Sequence, residues 1–213
     1  MQTGLHIEQI LVGPMANFSY LIVDLATKKT CYVDPGWEVD RLLSVARKKG
    51  WRIEKILLTH THFDHCQALE EAVQKLRVPV YVHSLEKERI DVSGMEYVEI
   101  KPEEVIPCGQ LKIKALWTPG HTPGEICYLV NKSLISGDVL FVGGCGRADL
   151  PGSDPKQLGE SLRRLGGLSE ETRIYPGHDY GSSPTSTIGV EKEKNIFLQS
   201  ALKSLDDFVR NRL

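Results

Sequence analysis

Thr59-His60-Thr61-His62-Phe63-Asp64-His65 places three imidazoles and a carboxylate in one short stretch, directly after the apolar, β-branched run over 53–58. The chain has seven His, and few structural reasons exist to crowd three of them together. Two more follow Pro-Gly pairs, in Pro119-Gly120-His121 and Pro176-Gly177-His178. Asp138 closes Ser136-Gly137-Asp138 at the end of another apolar run. Together these supply enough donors for two metal ions that share a bridging carboxylate.

The spacing suggests how the donors divide. On a strand-to-loop segment, residues two apart point the same way, so His60 and His62 can grip one ion. Asp64 and His65 lie one turn further and can face a second. Each half-site then needs partners from distant loops, and His121 and His178 are the candidates. Asp138 has two carboxylate oxygens and could bridge. A two-metal centre, with ions roughly 3.5–4 Å apart, lowers the pKa of a shared hydroxide, which can attack a carbonyl or phosphoryl centre. No Ser or Cys nucleophile is then required. A single His after Pro-Gly is more often a surface turn residue, so the metal reading rests on the set rather than on any one member.

Other residues have plainer readings. His6 is expected to be solvated. His83, after Val80-Tyr81-Val82, is expected to be a strand-end His bonded to a loop carbonyl. Cys66 and Cys145 read as small packing residues. The alternating charges over 191–194 read as a solvated helix face. Gly143-Gly144-Cys145-Gly146-Arg147 allows backbone shapes closed to other residues. Arg147 there either binds an anionic substrate group or pairs with Asp149 or Asp154.

Bulk properties narrow the class. At 213 residues, with 41% hydrophobic and 25% charged residues, the chain can bury one sizeable core, and a single domain over 1–213 is expected. A net charge of -2 offers no electrostatic case for nucleic acid or a membrane partner. No run approaches the roughly 18 apolar residues of a membrane span. Segment 1–11 lacks the basic and apolar blocks of a signal peptide. Five Cys, widely spaced and without Cys-x-x-Cys, fit reduced thiols and a cytoplasmic location.

Patterning predicts strands over 18–23 and 30–33, joined as a hairpin, and a helix from Val39 to about Lys49. A strand over 53–59, a helix over 68–76, a strand over 78–82 and a short helix over 85–90 follow. Strands over 111–117, 126–130 and 133–136 come next, then a helix over 157–165, a strand over 173–175 and one amphipathic helix over 191–209. Segment 181–189 is the one stretch that reads as a linker. This order fits an α/β protein with two sheets and helices outside.

The set His60-x-His62-x-Asp64-His65, His121, Asp138 and His178, in that order, resembles the metallo-β-lactamase superfamily. The likeness runs from Asn17-Phe18-Ser19-Tyr20-Leu21 and Val33-Asp34-Pro35-Gly36 to Asn195. The stretches 137–147 and Tyr175-Pro176-Gly177-His178-Asp179-Tyr180 resemble glyoxalase II (hydroxyacylglutathione hydrolase) and its relative persulfide dioxygenase. The resemblance implies an αββα sandwich of two mixed sheets. It implies His60, His62 and His121 on one metal, Asp64, His65 and His178 on the other, and Asp138 between them, with Asp64 and Asp138 as the catalytic carboxylates. Arg147 and Tyr180 fall where glyoxalase II places glutathione-contacting side chains. The C-terminal helical domain of the long glyoxalases II, with its further glutathione contacts, is not expected, because 35 residues follow His178.

The expected activity is therefore hydrolysis of a small-molecule thioester by a metal-bridging hydroxide. The expected cofactor is two divalent ions, zinc first, with iron or manganese as alternatives. The competing expectation is a persulfide dioxygenase with one Fe(II) on His60, His121 and Asp138, a two-His-one-carboxylate triad. A small thioester or thiol is the expected partner, and a homodimer is left open.

Overall fold

The computed structural model describes residues 4–90 and 94–211, so the first three positions of the segment read for a leader lie outside the described residues. The chain is an α/β fold with two mixed six-stranded sheets and a small two-stranded one. It divides into two compact units, Met1–Ala115 and Leu116–Leu213. No helix among the described residues is long and apolar enough to cross a membrane.

In the first unit, β1 (Leu5–Val12), β2 (Asn17–Asp24) and β3 (Lys29–Val33) pair antiparallel. Helix α1 (Val39–Lys48) then carries the chain to β4 (Arg52–Leu57), which lies parallel to β3. Helices α2 (Phe63–Cys66) and α3 (Leu69–Leu76) lead to β5 (Val80–His83), parallel to β4. Helix α4 (Ser84–Lys87) and then β6 (Tyr97–Ile100) complete the sheet. Parallel pairing needs such crossovers, because the chain must return to the same starting edge. Leu21, Val23, Ile56, Leu58, Val80 and Val82, each pair two residues apart, share one core with Val39, Leu42 and Ala46 of α1. That is the period-2 strand pattern meeting the period-3.6 helix pattern.

The second sheet runs β14-β13-β10-β9-β8-β7. Its strands are β7 (Val105–Cys108), β8 (Leu111–Trp117), β9 (Ile126–Val130), β10 (Ser133–Gly137), β13 (Arg173–Pro176) and β14 (Ser186–Thr187). The small sheet pairs β11 (Leu140–Phe141) with β12 (Gly144–Cys145). In the second unit, α5 (Pro155–Gly166) starts at Asp154, whose carboxylate accepts from Lys156 N and Gln157 N, with Pro155 at the first turn. Its Leu158, Leu162 and Leu165 bury with Leu134, Ile174, Leu198, Ala201 and Phe208.

Several expectations are corrected. The single helix predicted over 191–209 is three: α6 (Ile188–Lys194), α7 (Ile196–Lys203) and α8 (Leu205–Arg210). Asn195 and Ser204 take extended backbone and cap the next helix, Asn195 accepting from Phe197 N and Leu198 N, Ser204 from Asp207 N. Such side chains compete with the helical ladder for backbone groups. The stretch read as a linker holds β14, paired with β13. Glu191, read as part of a solvated face, is buried and accepts from Gly143 N at 2.7 Å and Asn195 Nδ2 at 2.9 Å. His6 is half-buried and bonded to Glu8 at 2.7 Å rather than simply solvated. His83 stands at the end of β5, where its Nδ1 accepts from Leu85 N at 3.2 Å and caps α4.

Candidate metal centre

Parallel register places both clusters. In the first unit, Val33 of β3 pairs with Leu57 of β4, so Asp34 and the His loop leave the sheet at the same end. In the second, Gly137 of β10 pairs with Pro176 of β13. Asp138 and His178 therefore emerge side by side, and Gly177 N donates to Gly137 O at 2.8 Å. The carboxyl ends of parallel strands are where α/β folds gather their ligand groups.

In the first unit, His60 is fully buried and His62 immediately precedes α2, whose single turn carries Asp64 and His65. The His60 ring lies 4.8 Å from that of His62 and 4.2 Å from that of His65, between centroids. Asp34 organises this group. Its carboxylate accepts from Thr59 N at 2.8 Å, from Thr59 Oγ1 at 2.7 Å and from His65 Nδ1 at 3.0 Å. It does so from a left-handed backbone, φ 52°, which costs a non-glycine residue roughly 1–2 kcal/mol. Asn17 Nδ2 donates to Asp64 Oδ2 at 2.9 Å. Gly36 lets the turn approach α2, because a Cβ there would stand 2.3 Å from Asp64 O.

In the second unit, His121 Nε2 lies 3.5 Å from Asp138 Oδ2, and His178 Nε2 lies 3.3 Å from the same oxygen. All three residues are buried. His121 Nδ1 donates to Arg147 O at 2.8 Å, and Asp138 N donates to Glu125 Oε1 at 2.7 Å. Tyr180 is 58% exposed and stacks on His178, ring centroids 4.4 Å apart at 11°.

Hydrogen bonding fixes the tautomers. A carbonyl only accepts, so His121 carries its proton on Nδ1. The Asp34 carboxylate holds the proton of His65 on Nδ1 in the same way. Thr59 Oγ1 gives its hydrogen to Asp34 and so accepts from His60 Nδ1 at 3.0 Å. In the neutral form each of these rings would present the Nε2 lone pair, the usual preparation of a metal-ligating imidazole. In the second unit that lone pair of His121 faces a carboxylate oxygen. A cation held between that nitrogen and the carboxylate would satisfy both. The donor set, imidazole and carboxylate without thiolate, suits zinc or iron.

Two neighbouring Cys behave as expected. Cys66 donates to His62 O at 3.4 Å, and burial pushes its thiol up to about 12, so it is no ready thiolate ligand. Cys145 packs against the core of the second unit. Arg147 realises its structural alternative: Nε and a terminal nitrogen grip both carboxylate oxygens of Asp149 at 2.9 and 2.8 Å. Sequence reading overlooked Asn17, Asp34, Glu86, Glu125 and Glu191 as individual contributors. Only Asp34 carried a usable signal, as an acid ending a strand before Pro-Gly.

Gly146 has its own requirement. A Cβ would fall 1.9 Å from Asp138 O and 3.0 Å from His121 Nδ1. Gly146→Ala is therefore expected to destabilise the protein by about 1–3 kcal/mol through overpacking and to lower its metal content. Denaturant unfolding alongside metal analysis checks this, and unchanged values for both would refute it.

Residues 12–178 match the metallo-beta-lactamase superfamily, and the chain belongs to it. At this level it is a metal-dependent hydrolase. Among its relatives, "Probable polyketide biosynthesis zinc-dependent hydrolase PksB" of Bacillus subtilis is 29% identical over 184 residues, 86% of this chain and 82% of that one. A hydroxyacylglutathione hydrolase of Maricaulis maris is 37% identical over 166 residues, 77% of this chain but 62% of that one. The crystal structure of ETHE1 from Myxococcus xanthus superposes with a TM-score of 0.86 at 32% identity, covering 96% of this chain and 88% of that one.

Proposed function

We propose that the chain hydrolyses thioesters of a small acylated thiol, with two divalent ions as cofactor. His60, His62, Asp64, His65, His121, Asp138 and His178 are the proposed ligands, with His60, His62 and His121 on one ion, Asp64, His65 and His178 on the other, and Asp138 shared. The observation that carries the reading is that Nδ1 of His60, His65 and His121 is each engaged by an oxygen, of Thr59, Asp34 and Arg147 respectively, which leaves Nε2 to face a metal. Zinc fits the donor set and the zinc-dependent relative.

Two bound ions would supply a hydroxide at neutral pH and polarise the thioester carbonyl. The chain's own groups do the rest. Asp64, oriented by Asn17, accepts the proton of the attacking water on its carboxylate. The C–O bond forms, the C–S bond breaks, and that proton leaves with the thiolate sulfur. Tyr180, exposed beside His178, offers its face and hydroxyl to the thiol carrier. Arg147 offers a guanidinium to a carrier carboxylate. Its bond to Asp149 joins side chains 66% and 60% exposed, where solvent screens the pair, so exchange for a substrate carboxylate costs little.

The persulfide dioxygenase reading is the alternative, favoured by the likeness to ETHE1 over nearly the whole chain. Assaying the zinc-loaded and iron-loaded protein separates the two. Chelator-sensitive thiol release from a glutathione thioester supports hydrolysis. Oxygen uptake on glutathione persulfide, without thiol release from the thioester, overturns it.

A further inference from the structure

The fully buried Glu86 lies outside the ligand set, yet it touches the ligand loop directly. Its Oε2 accepts from Thr61 N at 3.0 Å and from Thr61 Oγ1 at 2.6 Å. Thr61 Oγ1 also reaches the carbonyl of Glu86, at 3.3 Å. Thr61 is the residue between His60 and His62, so a carboxylate from another segment grips the middle of the pair.

Topology explains the meeting. β5 lies parallel beside β4, with Leu57 opposite Tyr81, and Leu58 N donates to Tyr81 O at 3.0 Å. The loop after β4 and the helix after β5 therefore leave the sheet as neighbours. His83 caps that helix through Leu85 N, which fixes where Glu86 begins. Cys66 holds the opposite side of the loop through Thr61 O and His62 O, at 3.7 and 3.4 Å. Asp34 holds its root at Thr59. Of these three anchors, Glu86 alone grips the residue between the two imidazoles by its amide and its hydroxyl.

We infer that Glu86 is a positioning residue that sets the spacing of His60 and His62 through Thr61. The inference rests on the proposed role of those His as metal ligands. A carboxylate accepts without donating, so it holds both Thr61 donors at once and leaves the peptide one orientation. Groups that orient ligands typically govern metal affinity by about 10–100-fold.

The test uses the full chain loaded with cobalt(II), read by its visible absorption bands and by competition with a chelator. Unfolding of the metal-free protein is measured in parallel. Glu86→Ala is expected to weaken cobalt binding about 10–100-fold and to change the bands. Glu86→Gln keeps an acceptor oxygen and is expected to restore most of the affinity and the wild-type bands. Thr61→Val, which removes the hydroxyl donor alone, is expected to weaken binding in the same direction and decides the matter if Glu86→Ala does not fold. Wild-type affinity and bands in Glu86→Ala, or in Thr61→Val where the former fails to fold, would overturn the inference even if the unfolding midpoint drops. A wild-type protein that binds no cobalt would instead overturn the metal reading, and this inference with it.

Discussion

Asp138→Ala is expected to abolish turnover, with a loss of about 10³-fold or more, and to deplete the protein of metal. The size follows from the position of one carboxylate. Its Oδ2 lies within 3.5 Å of Nε2 of both His121 and His178, and it is proposed to serve both ions. Removing it leaves both imidazoles without the carboxylate charge that would offset bound cations. His6→Ala is the control: His6 is half-buried and bonded to Glu8, away from this cluster in sequence, and should cost neither activity nor metal. Metal analysis and a thioester assay on both variants check the contrast. Full metal content and near-normal turnover in Asp138→Ala would remove the bridging assignment.

His178→Ala is expected to cost about 10²-fold in thioester hydrolysis, in line with losing positioned electrostatic stabilisation, and to release one of the ions. The same variant separates the two chemistries. In a mononuclear dioxygenase on His60, His121 and Asp138, loss of His178 leaves iron bound and oxygen uptake largely intact. His178 is also the ring on which Tyr180 stacks, so part of the loss should appear in KM. A Tyr180→Ala protein, which keeps the imidazole, gives the size of that part. If His178→Ala keeps its full metal complement, the hydrolase account is in error.

The proposed ligand set stood out because imidazole and carboxylate side chains of this density have few other uses, and because each follows a strand with a readable apolar pattern. The strands β2, β3, β4, β8, β9, β10 and β13 were legible for the same reason. What escaped had no local pattern. β11, β12 and β14 are two residues each, too short for any period. β1 carries His6, Glu8 and Gln9 among its apolar residues and buries little before Ile10. The breaks at Asn195 and Ser204 were hidden by an apolar stripe that continues across all three helices, since Ile188, Leu198, Ala201 and Phe208 still reach one core. Glu191 reads as part of a solvated helix face, and Glu86 and Glu125 carry no local signal. Their burial follows from donors brought by other segments, the Thr61 amide, the Asp138 amide and the Gly143 amide, and no window of sequence contains both partners.

Metal stoichiometry of the purified full chain, with the two assays run on the same sample, tests the central claim most directly. The account predicts about two divalent ions per chain, thioester hydrolysis that rises with occupancy of the second ion, and loss of activity on chelation with recovery on adding zinc. One iron per chain, with oxygen uptake on glutathione persulfide and no thiol release from the thioester, would contradict it.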